Sequence, residues 1–361
     1  MTTSSEPKTL TKLTIEIALV LIVFLLISSY LLAMFLGPVL LFSPDGLTAG
    51  HQNLQLPILL FIVVGFYTPV ALNVGVVFLV LWGVFAICFI AACQLRENLR
   101  EVIRKSLSRP MKRLLNNCLF ALPLITSMML AAVIAVHSFQ EAGGIPTGEP
   151  PLPDNHFQAL FELSYAALAE EIGFRVTPIG AFLIIYLFWA AREKAVRFSL
   201  GQRLRLFFTA PLFPDEAKKM VGVKTVGDFG VKGGISLGEW TMVFFTSAVF
   251  GLAHYLAGGG WEIGKITSAS AVGLVMGLTY LLYGVQASIL VHWFFNYYSY
   301  VYYIASELYT SILITFALID LITIILGVLG WVAFLILGLR KIFSAITKTD
   351  ESRLTPLPEA S

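Results

Sequence analysis

Long apolar runs constrain this chain more than any other feature of its sequence. They lie at about 14–42, 55–94, 114–137, 157–190, 237–257, 267–283, 286–304 and 309–338. Each is close to or above the length of about 20 residues that a helix needs to cross a bilayer. With 57% hydrophobic and 13% charged residues, the chain lacks the polar surface of a soluble enzyme, a disordered chain or a nucleic-acid-binding protein. We therefore predict an all-α polytopic membrane protein.

The basic residues orient these runs. Of the 24 Lys and Arg residues, all but Arg175 and Lys265 fall in the two terminal segments and in the loops 95–113 and 191–236. Because Lys and Arg accumulate in cytoplasmic loops, these four segments belong on the inside. This arrangement requires eight transmembrane helices with both termini cytoplasmic. The two longest runs, 55–94 and 157–190, are then each one crossing with an added interfacial or bent piece.

The same pattern divides the chain into segments. We predict a cytoplasmic N-terminal segment at 1–13, an eight-helix membrane domain at 14–347 and a flexible cytoplasmic tail at 348–361. Within the membrane domain, a core at about 114–304 contains a cytoplasmic insert at about 192–236. Basic and apolar residues alternate over Arg197–Phe208 in the insert, which suits either an anionic membrane surface or ordinary cytoplasmic charge.

Ionisable residues inside the predicted spans are expensive to bury, so each is a functional candidate. The first group is Glu170-Glu171-Ile-Gly-Phe-Arg175. Glu171 and Arg175 are four residues apart and share one helix face, which predicts an ion pair. Glu170 points about 100° away and is left without that partner, as expected of a general acid or base. A structural Glu–Arg clamp with an idle Glu170 is the alternative.

Two further groups follow on later spans. Phe250-Gly-Leu-Ala-His254 places an aromatic ring and an imidazole one turn apart, and its small residues permit close helix packing. His292-Trp-Phe-Phe-Asn296 projects an imidazole and a carboxamide from one face, which suits an oxyanion hole. Each group could instead be packed and hydrogen-bonded without a chemical role. Counted along their helices, all three groups can meet in the middle-to-inner part of the bilayer.

Glu-Glu-x-x-x-Arg, Phe-x-x-x-His and His-x-x-x-Asn, in this order on membrane helices, resemble the CPBP family. This family includes the type II CAAX prenyl endopeptidases of the Ras-converting-enzyme group. The resemblance implies an intramembrane endopeptidase in which Glu170 and His254 activate a water molecule. It also implies that Phe250 packs the site.

The resemblance assigns the remaining motif residues as well. Glu171 and Arg175 would hold the first helix and its charges in place, and His292 and Asn296 would stabilise the tetrahedral oxyanion. The partner would be a peptide or membrane-protein substrate, either prenylated or not, with membrane lipid around it and no nucleic acid. The compact loops favour a prokaryotic plasma membrane.

Other interpretations stay open at this point. Glu170, His254 and His292 are competent Zn²⁺ ligands, so a zinc-dependent protease using the same residues is an alternative to the favoured mechanism without a cofactor. A non-catalytic immunity or scaffold protein of the same family is another. A transporter would carry polar residues along a path through the membrane, whereas here they cluster in three segments.

Overall fold

A computed structural model describes residues 10–95, 97–106, 111–194, 198–257 and 260–354. Predictions for residues 1–9 and 355–361, and for the basic residues Arg96, Arg109 and Arg197, lie outside this part of the chain. Most described residues are helical, as the composition predicts. The α-helices are α1 (Leu10–Leu41), α2 (Leu47–Gly50), α3 (Val74–Gln94), α4 (Leu99–Ser106), α5 (Cys118–Ala142), α6 (His156–Glu171), α7 (Pro178–Glu193), α8 (Leu200–Leu212), α9 (Pro214–Val221), α10 (Val226–Gly234), α11 (Leu237–Leu256), α12 (Lys265–Tyr283), α13 (Val285–Trp293), α14 (Ser299–Leu308) and α15 (Thr310–Leu354).

Three shorter helical segments complete this architecture. A 3₁₀ turn (Met111–Asn116) precedes α5. The first π segment (Ile172–Val176) joins α6 to α7, and the second π segment (Phe294–Tyr298) joins α13 to α14. Single π turns inside helices are frequent at functional sites, so these two segments mark positions to examine for chemistry.

Six helices in the described residues are long and apolar enough to cross a membrane. They begin at Thr14, Val74, Cys118, His156, Lys265 and Thr310. A seventh span is counted if α10 and α11, which meet at 77°, form one broken crossing. A helical, multi-pass membrane protein is therefore confirmed. The count of eight and the cytoplasmic position of both termini stay predictions.

The run predicted at 286–304 is helical but is not one of these six spans. Every residue from Gln286 to Trp293 is buried inside the protein. A helix surrounded by protein can carry polar residues that a lipid-facing helix cannot, because its neighbours satisfy them. α13 thus forms the centre of the bundle, in contact with α3, α5, α6 and α12.

Residues 53–73 depart from the all-α prediction. Two antiparallel strand pairs form here: β1 (Asn53–Leu54) with β4 (Leu72–Asn73), and β2 (Pro57–Phe61) with β3 (Val64–Tyr67). A continuous apolar run does not by itself distinguish strand from helix, which is why the prediction was wrong here. α3 begins only after Asn73, whose side chain accepts a hydrogen bond from the Val76 N–H at 3.0 Å.

The run at 157–190 forms one continuous helical span with a π turn in it, as the single-crossing interpretation requires. Proline explains the position of the π turn. Pro178 has no N–H to donate to the carbonyl four residues earlier, so the regular ladder is interrupted there. The Thr177 N–H instead bonds the Ile172 carbonyl, five residues back, at 3.0 Å.

The insert at 192–236 folds into α8, α9 and α10. The side chain of Ser199 caps α8 together with Gln202, and α9 starts at Pro214, whose missing N–H is not needed at the first position of a helix. The buried carboxylate of Asp215 accepts hydrogen bonds from the first two N–H groups of α10, each at 2.7 Å. These hydrogen bonds connect α9 to α10 within the insert.

Candidate active site

The first motif forms a buried ion pair. Nη1 of Arg175 lies 2.8 Å from Oε1 of Glu171, and both side chains are fully buried. The i to i+4 spacing predicts this contact, and the structure confirms it. Glu171 ends α6 and Arg175 lies in the first π segment, so the pair spans the π turn.

Arg175 has further partners that hold it in place. Its Nη2 donates to the Gly273 carbonyl on α12 at 3.3 Å. Its guanidinium carbon lies 4.6 Å from the centre of the Phe250 ring on α11. A charge removed from water needs such compensation, and Arg175 receives it from three different helices.

His292 connects the third motif to both glutamates. Its Nδ1 lies 2.9 Å from Oε1 of Glu171, and its Nε2 lies 3.7 Å from Oε2 of Glu170. An ionised carboxylate can only accept, so Nδ1 carries the hydrogen. Nε2 is therefore the ring nitrogen that faces Glu170.

Glu170 differs from Glu171 in its surroundings. Its side chain is 27% exposed, whereas that of Glu171 is fully buried. Its Oε2 atom is itself buried and has no hydrogen-bond partner among the described residues. A buried acceptor without a donor is rare in folded proteins and suits a position that receives a water molecule.

His254 supplies a second imidazole next to Phe250. Its Nδ1 is 2.8 Å from the Phe250 carbonyl, which can only accept, so Nδ1 donates. In the neutral ring, Nε2 is then the acceptor. His254 and Glu170 also interact electrostatically.

Phe250 packs at the centre of these groups. Its ring lies 4.6 Å from that of His254, 5.1 Å from that of Phe174 and 5.9 Å from that of His292. The three sequence motifs therefore meet in space around one aromatic side chain. Asn296 lies in the second π segment, one turn after His292. Its Nδ2 donates to the Leu163 carbonyl on α6 at 3.4 Å.

The part of the chain that holds these residues matches a protein-family model. Residues 153–298 match the family of type II CAAX prenyl endopeptidase Rce1-like proteins. A search of curated proteins and a search of solved structures gave no match. The resemblance to the CPBP family is therefore confirmed over these residues, which hold all three motifs and which we call the Rce1-like segment.

The match and the apolar helices together indicate a multi-pass integral membrane protein that is similar over residues 153–298 to a family of membrane endopeptidases. The Rce1-like segment begins just before α6 and ends with the second π segment. It includes the insert and leaves out α1, α3, α5 and α15, four of the six apolar spans.

A contact from outside the Rce1-like segment reaches the first motif. The Ile62 N–H, at the tip of the β2–β3 hairpin, donates to the Gly173 carbonyl at 2.7 Å. Ile62 has a φ of 55°, an unusual conformation for a β-branched residue. The hairpin thus fixes the first π segment from the side. Sequence analysis missed this contact because it did not predict the strands.

Two residues of α12 and α13 near the site were also missed. Ser288, one turn before His292, lies near the Glu171 carboxylate, and its hydroxyl donates to the Val285 carbonyl at 3.2 Å. Lys265, at the start of α12, interacts electrostatically with Glu170. The signal for Lys265 was present in the charge pattern, since it is the one basic residue predicted on the outer side.

The zinc alternative requires Glu170, His254 and His292 to converge on one point. In the part of the chain that the structure describes, no three His, Cys, Asp or Glu side chains are arranged to hold a metal ion. The Nδ1 atoms of both histidines are engaged as donors, which leaves Nε2 of each ring as the nitrogen that could bind a metal, and Nε2 of His292 faces Glu170. The mechanism without a cofactor and the zinc alternative therefore both stay predictions.

Proposed function

We propose that this protein hydrolyses a peptide bond of a membrane-associated or lipidated, CAAX-like substrate. The observation that carries the proposal is the Glu170 carboxylate, which is 27% exposed and whose Oε2 atom has no hydrogen-bond donor among the described residues. This Oε2 atom lies 3.7 Å from Nε2 of His292, and the Glu170 carboxylate also interacts electrostatically with His254. The match to an endopeptidase family supports the same conclusion.

In the proposed reaction, Glu170 accepts a proton from a water molecule whose oxygen attacks the scissile carbonyl carbon. His254 accepts a second hydrogen bond from that water through Nε2 and so orients it. The C–N bond breaks when the proton held by Glu170 passes to the leaving amine. This sequence uses one carboxylate as base and then as acid, which is general acid–base catalysis.

The carbonyl oxygen becomes an oxyanion during the attack, and we assign its stabilisation to His292 and Asn296. Nδ1 of His292 is held by Glu171, so Nε2 donates when the ring is doubly protonated. Asn296 uses one amide hydrogen toward Leu163 and has a second for the oxyanion. Glu171 and Arg175 are positioning residues, since they hold His292 and the first π segment.

The setting of the substrate is part of the proposal. A peptide bond next to a lipid anchor would be brought to the site by partition of that anchor into the bilayer. A prokaryotic plasma membrane is the proposed location, because the connecting loops are compact.

The experiment combines the purified full-length protein in liposomes with a farnesylated peptide in water enriched in ¹⁸O. We expect a single cleavage that leaves one solvent oxygen in the new carboxylate, detected by mass spectrometry. The His254→Ala variant should form much less product. A product without the label would exclude hydrolysis, and absence of any product from a set of lipidated and unlipidated peptides would contradict the proposed function.

A further inference from the structure

Lys265 is the first residue of α12 and interacts electrostatically with Glu170 of the candidate site. Its Nζ lies 3.6 Å from the centre of the Trp261 ring, over the face of the indole. The Trp261 ring is in turn 6.5 Å from the ring of His254. The ammonium group is therefore held by a cation–π contact at a fixed position near the proposed base.

Lys265 lies near several ionisable side chains but forms no direct ion pair with a described residue. It interacts electrostatically with Glu170, His254 and His137. Within the described ranges, no hydrogen-bond acceptor and no carboxylate at ion-pair distance is assigned to its Nζ. Arg175, the other basic residue near the site, is already paired with Glu171. Among the described residues, Lys265 is thus a cation of this site without a direct ion-pair or hydrogen-bond partner, and Glu170 interacts with it only electrostatically.

A partly buried ammonium without an anion favours binding one, because its own solvation is incomplete. A peptide substrate carries one kind of anion, the carboxylate. A substrate carboxylate near Glu170 would be repelled by that side chain unless a positive charge lay close to both. Lys265 supplies such a charge.

We propose that Lys265 binds a carboxylate of the peptide substrate and so sets which peptide bond lies against Glu170. The carboxylate comes from the C-terminus of the peptide or from an Asp or Glu side chain. Trp261 holds the ammonium in place for this contact. This inference rests on the proposed function and makes Lys265 a specificity-determining residue of the same site.

A purely electrostatic role of Lys265 toward Glu170 makes a different prediction. In that case, removing the charge would change the cleavage of every peptide by the same factor. Binding of a substrate carboxylate instead makes the effect depend on the peptide. A comparison of enzyme variants with peptide variants separates the two roles.

The test uses the full-length protein in liposomes with one cleavable peptide in three forms. The first has a free C-terminus, the second a C-terminal amide, and in the third each Asp or Glu is replaced by Asn or Gln. We compare wild type, Lys265→Met, Lys265→Arg and the control Lys219→Met, whose exposed side chain pairs with Glu216. The quantities are kcat/KM for cleavage and Kd for binding of each labelled peptide.

In wild type, we expect removal of the relevant carboxylate to lower kcat/KM by about tenfold or more, the scale of a charged hydrogen bond. Lys265→Met should lose about the same factor on the free-acid peptide and no longer distinguish it from the neutralised form. Lys265→Arg should keep much of the distinction, and Lys219→Met should keep all of it. Which peptide loses activity identifies the C-terminus or the side chain as the source.

An equal effect of Lys265→Met on all three peptides, or no effect, would overturn the proposal while leaving the proposed function intact. If wild type cleaves none of the peptides, the proposed function fails instead. The Kd values then decide the inference alone: a preference of wild type for the free acid that Lys265→Met abolishes supports it, and equal or absent binding overturns it.

Discussion

Nδ1 of His292 lies 2.9 Å from Oε1 of Glu171, although the two residues are 121 positions apart in the chain. The same oxygen receives Nη1 of Arg175 at 2.8 Å. One buried carboxylate oxygen therefore holds the first and third motifs together. Glu170, its neighbour in sequence, takes no part in this pairing and is 27% exposed, which divides the two glutamates into a positioning residue and a proposed base.

Replacing Glu171 tests the positioning role. Glu171→Gln removes the charge that compensates Arg175 in a fully buried site, and an unpaired buried charge costs about 3–5 kcal/mol. We expect a clearly lower free energy of unfolding and, because His292 loses its anchor, roughly a 100-fold lower kcat. Denaturant titration in detergent and the cleavage assay measure the two effects.

The matched control is Glu216→Gln. Glu216 pairs with Lys219 at 2.7 Å, but both side chains are about half exposed. Exposed pairs contribute about 1 kcal/mol or less, so this variant should unfold and cleave like wild type. Equal stability of the Glu171 and Glu216 variants would contradict the positioning role of Glu171.

Asn296→Ala tests the oxyanion assignment. The amide contributes one long hydrogen bond to Leu163, so we expect little change in stability. Loss of an oxyanion donor lowers kcat by about 100-fold to 1,000-fold, with KM nearly unchanged. Steady-state kinetics provide the check. A change confined to KM would show that Asn296 binds the ground state and does not stabilise the oxyanion.

Gly173→Ala tests the contact of the hairpin with the first π segment. A Cβ atom at Gly173 would lie 2.9 Å from Cβ of Leu59 and 3.0 Å from the Ile62 carbonyl oxygen, so the hairpin tip must move. We expect a stability loss of about 1–3 kcal/mol and reduced cleavage, because the π segment carries Arg175.

Gly83→Ala in α3 is its control, since a Cβ there meets no atom within 4 Å. Alanine is the better helix former, so stability should stay equal or rise by up to about 1 kcal/mol. Thermal unfolding of both variants decides the question. If Gly173→Ala behaves like Gly83→Ala, the hairpin does not brace the site.

The contacts within one helix of this site could be predicted from the sequence. The contacts between separate helices could not, because they depend on how the helices pack. Spacing within one helix predicts the Glu171–Arg175 pair, because both residues share a face. It does not predict that His292 joins them, because that contact depends on how α6 and α13 pack. The β2–β3 hairpin was not predicted because its residues are as apolar as those of a membrane-spanning helix. The predicted count of eight includes α13 as a span, whereas the structure buries this helix inside the protein and does not count it among the candidate spans.

The rate of the Glu170→Gln variant tests the central claim most directly. We would measure kcat/KM for wild type and Glu170→Gln on one lipidated peptide, each with and without a strong zinc chelator, after confirming equal thermal stability. The account predicts that wild type keeps its rate in the chelator and that Glu170→Gln loses at least about 100-fold with or without it. Cleavage retained by Glu170→Gln, or loss of wild-type activity in the chelator with recovery on adding Zn²⁺, would contradict it.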